Sequence, residues 1–218
     1  MVANYTSDEL LTLIDGTSIA AYGAKIVKSS GFWDAPKPKE HISYRWGDRD
    51  GIEVDLGSRY FDARYPRMEI VVDGNTLQEM KNNVDMLMSV FRQTGLRHLK
   101  FPGVAGVHMV YASEDIQISR RTKGIGQRQL ALVDFRFTEP HPLNRQFVAN
   151  QTGGLVQVSM AVTVSGPVRI EWGDNTGTDV SESGTVTHDY TTANVFCVVV
   201  HPLSQIEGIG TLVNLVEI

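Results

Sequence analysis

The chain has 218 residues and a mass of 24.1 kDa, room for one large domain or two small ones. With 42% hydrophobic and 21% charged residues it has the composition of a packed protein, and a formal net charge of -5 excludes a bulk basic footprint for nucleic acid. The charge is uneven: residues 151–218 carry one basic residue, Arg169, against seven acidic ones, while residues 1–150 carry the other 19 basic and 18 acidic residues, an asymmetry expected of two modules.

The first residues, Met1 to Glu9, are polar and acidic, the opposite of a signal peptide, and no run of 18 apolar residues reads as a transmembrane helix. A single cysteine, Cys197, excludes an internal disulfide and a cysteine-based zinc cluster, and fits synthesis in a reducing cytosol. Asp8 to Ile14 reads as a short helix or strand ending at the Asp15-Gly16 turn signal. Ile19 to Ser29 reads as extended chain, and Gly31 to Glu40, with Pro36 and Pro38, as a loop. Ile42, Tyr44 and Trp46 alternate with polar residues, as do Ile52, Val54 and Leu56. Between them Gly47 to Gly51 is a polar turn, so the pair predicts a β-hairpin.

Arg67 to Val72 is a further strand. Leu77, Met80, Val84, Leu87, Met88 and Phe91 then fall on one face of an amphipathic helix over 76–93, capped by Asn75 or Thr76, with Gly95 at its left-handed C′ position. Strands follow at Leu96–Phe101, Gly106–Ala112, Ile116–Arg120 and Leu130–Thr138, the last with Ala131, Val133, Phe135 and Phe137 on one face. Pro140 and Pro142 end it and mark the best domain boundary. Beyond Asn150 lie apolar runs at Leu155–Val164, Val168–Trp172, Thr185–Tyr190, Val195–His201 and Thr211–Ile218, separated by glycine turns. They predict a small β-sandwich over 151–218 beside a domain over 1–145.

The chain offers no catalytic, cofactor-binding or metal-ligating constellation. No nucleophile elbow or glycine-rich phosphate cradle occurs, and Cys197 sits in a valine-rich strand as a small core residue. The histidines His41, His98, His108, His141, His188 and His201 show no zinc-ligand spacing. Asp48, Asp50, Glu53 and Asp55 form the solvated face of the hairpin, and Asp174, Asn175 and Asp179 are turn formers. Arg120, Arg121, Lys123 and Arg128 make a local positive patch without interleaved aromatics, which reads as a solvated loop or a subunit contact rather than a base-stacking platform. No cofactor is expected, and the reading is not that of an enzyme.

Two stretches carry resemblances. Ile14-Asp15-Gly16, Ala21 to Gly23, Trp46 to Gly51, Val54 to Gly57, Arg67 to Val72, helix 76–93, Val110-Tyr111 and Phe135 to Pro140 come in an order that resembles, over residues 12–142, the N-terminal domain of distal tail proteins of long-tailed bacteriophages. The fold of those domains is close to that of tail tube proteins. Val168 to Gly177, with Trp172-Gly173-Asp174, followed by His188-x-Tyr190, is similar to the polycystic-kidney-disease-type immunoglobulin-like domain over 151–218. Asn175 replaces the usual glycine there.

The resemblance implies a mainly β chain: a tail-tube-like sandwich or barrel with one helix, then an immunoglobulin-like sandwich. It also implies a structural virion protein made in the host cytoplasm that forms a ring, with six copies as the family's arrangement. Its partners would be tail tube, tape measure and tip or hub proteins. The C-terminal module could touch host glycans, and no membrane or sequence-specific nucleic-acid partner is expected. Phe32–Glu40 and Gly124–Gly126 are the candidate arms. A tail tube subunit with an immunoglobulin-like decoration is the alternative within the class. A carbohydrate-binding module or adhesin, using Trp33, Trp46 and Trp172, is the alternative outside it.

Overall fold

The computed structural model describes residues 12–40, 43–44, 50, 53–54, 60–103, 106–113, 116–122, 128–150, 156–192 and 195–218. These residues are mainly β, in antiparallel sheets, with one α-helix. The first sheet runs in the order β2-β1-β7-β8-β10-β6-β3, with β9 also paired to β10. β1 (Leu13–Ile14) and β2 (Thr17–Ser18) form a hairpin over Asp15 and Gly16, both at positive φ. The extended chain expected over Ile19–Ser29 is broken. Ile19–Tyr22 is a 3-10 turn, because the Ser18 side chain accepts from the Ala20 N–H and Gly23 closes the turn in a left-handed conformation. Strand β3 starts after it, at Ala24–Ser30.

The expected hairpin is present in its described part, β4 (Ser43–Tyr44) against β5 (Glu53–Val54). Its remaining residues, including Trp46, Asp48 and Asp55, lie outside the described residues, as does the Gly124–Gly126 arm. Strand β6 (Arg67–Gly74) buries Met68, Ile70 and Val72, and β10 (Gln129–Thr138) buries Ala131, Val133, Phe135 and Phe137. Helix α1 (Leu77–Phe91) lays Met80, Val84, Leu87, Met88 and Phe91 on this pair.

The helix begins at Thr76, whose Oγ1 accepts from the Glu79 N–H at 3.1 Å while the Glu79 carboxylate accepts from the Asn75 N–H at 2.8 Å. Gly74 makes the turn into it: a Cβ there would stand 2.4 Å from the Met80 nitrogen. Gly95 has φ 88 but is not the C′ residue. The helix ends at Arg92, a 3-10-type bond from the Gln93 N–H to Val90 O follows, and only then does Gly95 reverse the chain. Strands β7 (Arg97–Lys100), β8 (His108–Ala112) and β9 (Gln117–Thr122) complete the sheet.

A second core holds Phe147, Val158, Met160, Ile170, Trp172 and Val198 between two sheets. One has the order β14-β13-β16-β11-β18 and the other β15-β12-β17. The strands are β11 (Arg145–Asn150), β12 (Val156–Val164), β13 (Val168–Glu171), β14 (Gly177–Val180), β15 (Gly184–Tyr190), β16 (Val195–His201), β17 (Ile206–Val213) and β18 (Val216–Glu217). β11 pairs with β16 along its whole length, so the residues just after the proline pair already belong to this second body. The C-terminal run is two strands, because Asn214 at φ 57 turns the chain from β17 in one sheet to β18 in the other.

The two bodies touch through the outer face of the five-stranded sheet. Val199 of β16 packs on Val107 and Met109, with Leu96 and Cys197 beside them. The Gln146 amide of β11 accepts from the Val107 N–H at 2.8 Å and donates to Val107 O at 2.9 Å, doing for one residue what a neighbouring strand would do.

Candidate assembly surfaces

Four strands of the first sheet, β9-β10-β6-β3, end in open edges on both sides among the described residues. The edge strands show apolar side chains to solvent: Val27 on β3 and Ile118 on β9. Helix α1 covers one face of this block. The opposite face, with Glu69, Val71, Leu132 and Asp134 half-buried, carries no helix among the described residues. Charges of both signs cross it, Arg67 bridging diagonally to Asp134 and Lys28 opposite Glu69. The Asp134 carboxyl is held below the usual carboxylate range by its hydrogen bond from Arg67. Sheet edges that stay open among the described residues, next to a half-buried mixed face, are suited to pairing with another chain.

Next to it, the loop 31–40 is held by a buried ion cluster. Arg64 donates from Nε to Glu139 at 2.9 Å and from a terminal nitrogen to Phe32 O at 2.9 Å and Asp34 O at 3.0 Å. Glu139 is 1% exposed and also faces His108 Nδ1 at 3.3 Å. The clamp fixes Phe32 inside, edge-on to Phe101 and His108, and leaves Trp33 59% exposed over the same two rings. Two further bonds, Lys39 N–H to Tyr60 O and Asp62 N–H to Lys37 O, both 2.8 Å, fasten the loop to 60–62. Trp33 is thus a displayed aromatic on a braced loop. No sequence pattern marks the clamp, since Arg64, His108 and Glu139 are far apart in the chain.

In the second body, Trp172 is fully buried and its indole N–H donates to Thr178 Oγ1. His188 stacks on it at 4.8 Å and bonds Asp174 at 2.8 Å, and the Tyr190 hydroxyl donates to Trp172 O at 2.6 Å. Burial alone would raise the Asp174 carboxyl, but bonds from Thr176 and His188 outweigh it and hold the group below the usual carboxylate range. Gly173 sits at φ 84, where a Cβ would come within 2.6 Å of Cys197 O. The Trp-Gly-Asp and His-x-Tyr residues therefore form one structural cluster with no open ligand position at Trp172.

No family model matches the chain. No curated protein matches it. Among solved structures it is similar to the SPP1 Dit (gp 19.1) protein, described as a paradigm of the hub adsorption apparatus in phages infecting Gram-positive bacteria. The likeness has a TM-score of 0.43 and 12% identity, and covers 93% of this chain and 96% of that one.

Of the remaining residues singled out in the sequence, Lys123 and His41 lie outside the described residues. Cys197 is half-buried at the contact between the two bodies rather than in the sandwich core, and burial pushes its thiol up to about 11. Asp179 pairs with Arg169 at 2.9 Å, and Arg128 with Asp73 at 3.0 Å. Arg120 and Arg121 lie on edge strand β9, opposite Ala131 and Leu130. Among the described residues no three His, Cys, Asp or Glu side chains converge as a metal site requires, and no helix is long and apolar enough to cross a membrane. His141 and His201, 60 residues apart in the chain, stack on each other, which nothing in their spacing foretold.

Proposed function

We propose that this chain is a structural protein of a bacteriophage tail, a distal tail protein that assembles into a six-membered ring joining the tail tube to the tip. The observation that carries the reading is the β9-β10-β6-β3 block, with an open edge at each side and a half-buried outer face. A ring needs two different surfaces that fit each other head to tail, and the β3 and β9 edges are two such surfaces on one sheet. The order of motifs along residues 12–142 supports the same assignment.

In this reading residues 1–145 supply the ring-forming part, residues 151–218 an immunoglobulin-like sandwich on its outside, and Trp33 a contact to a neighbouring tail protein. The seven acidic residues of 151–218 keep the outside of the particle soluble and disfavour close approach of like-charged neighbours. Light scattering and electron microscopy of the purified full chain test the proposal. Closed rings of uniform diameter are expected, and a monomer at every concentration would overturn it. Stacking of those rings into long tubes would favour the tail tube subunit instead.

A further inference from the structure

His201 ends strand β16 opposite Arg169 of β13 and is 5% exposed. Both of its ring nitrogens are buried without a hydrogen-bond partner among the described residues. A neutral imidazole has one donor and one acceptor nitrogen, so neither capacity is met. The ring is covered by His141, with centroids 4.4 Å apart and planes 26° from parallel. His141 lies in the connector between β10 and β11, so this stack ties the connector to the end of the central strand of the five-stranded sheet.

The charges around His201 come from four directions. His141 of the connector, Arg169 of β13 and His98 of β7 all oppose a proton there, and Asp179 of β14 favours one. Asp179, however, is already bound to Arg169. Lys39 stands across the neighbouring cleft from His141.

We propose that the His141–His201 stack is an acid-released latch that holds the two bodies of this protein together. Protonation makes both His201 nitrogens donors, beside the Arg169 guanidinium and with no hydrogen-bond partner among the described residues in this packing, and an unpaired buried cation is far costlier than an unpaired neutral ring. The ring must turn out to water. A cleft of about 340 Å³, lined by His141, Val168, Arg169, Asp179 and Ser181 as well as His201, gives it the space. His141 then loses the surface it stacks on and the connector is released, so the Val107–Met109–Val199 contact and the Gln146 bridge bear the junction with less support and the bridge to the Val107 N–H opens more often.

Burial, with His141 and Arg169, pushes His201 down to about 4, and burial also lowers His141. The closed form binds the proton less readily than the open form. Its advantage is therefore complete above the open-state pKa of about 6.5 and is lost as pH falls through about 4, the opening constant rising at most about tenfold per pH unit.

The test is amide exchange of the full chain across about pH 7.5 to 4.5, corrected for intrinsic exchange rates and read at Val107. Its N–H is held by Gln146 across the junction. The wild type should lose protection at Val107 before the strands of either core. His201→Phe, which keeps the stack and removes both nitrogens, should stay protected. Equal acid release in His201→Phe, or none in the wild type, would overturn the latch. Should His201→Phe not fold, wild-type NMR decides: titration of His201 with loss of its ring contact to His141 supports the latch, and titration with that contact intact overturns it.

Discussion

Asp174 illustrates how a residue that looks like a turn former also carries stability. Its carboxylate is stabilised by Thr176 and His188, so its folded pKa lies below the unfolded one. That contribution is present above the unfolded pKa of about 3.8 and lost as pH falls through the folded value. Asp174→Asn should therefore be less stable than the wild type near neutrality, with the difference shrinking towards pH 2, as measured by urea unfolding at several pH values. Glu139 is a stronger case because it is buried. Glu139→Ala would leave Arg64 without its carboxylate, at about 3–5 kcal/mol of unfolding free energy. It should also red-shift the fluorescence of Trp33 once the loop loses its brace. The Trp172 cluster was legible as a motif, because its members sit within 19 residues at fixed spacing. The Arg64–His108–Glu139 clamp was not, because its members meet only when β8 pairs with β10 and Arg64 bridges to Glu139.

At the scale of the element, the place and core face of helix α1 were readable, since an apolar stripe and a capping side chain are both local signals, although Leu77, expected on that face, is exposed and Gly95 is not the C′ residue. Thr76→Ala should cost about 1 kcal/mol in thermal unfolding, because the Glu79 N–H loses its acceptor. β11 was missed because its ends, Arg145 and Asn150, are polar and its apolar residues are few, so only the pairing with β16 makes it a strand. The 3-10 turn at Ile19–Tyr22 escaped for a related reason: Ile19 is buried there as it would be in a strand. The edge strand β9 offers an assembly test. A lysine on a sheet edge discourages strand addition while leaving the monomer folded. Ile118→Lys, at a side chain already exposed, should shift the light-scattering mass to the monomer with an unchanged far-UV circular dichroism spectrum.

For the whole molecule the junction decides more than either core. Gln146→Ala would strip partners from both the N–H and the C=O of Val107, each worth about 1–3 kcal/mol if left buried and unpaired. Hydrogen exchange should show Val107 and the β8 residues losing protection together, with the second core unaffected. By itself the sequence determined the mainly β character, the helix and most of its buried face, the uneven charge and the Trp172-Gly173-Asp174 with His188-x-Tyr190 pattern. Each of these rests on neighbours a few residues apart, where period and backbone preference act. Only the tertiary structure decided which edges stay open, that β11 joins the second body, that Trp33 is displayed by a buried ion cluster, and that His141 lies on His201. Those outcomes depend on strand pairing and desolvation between residues tens of positions apart, and no local periodicity carries that information.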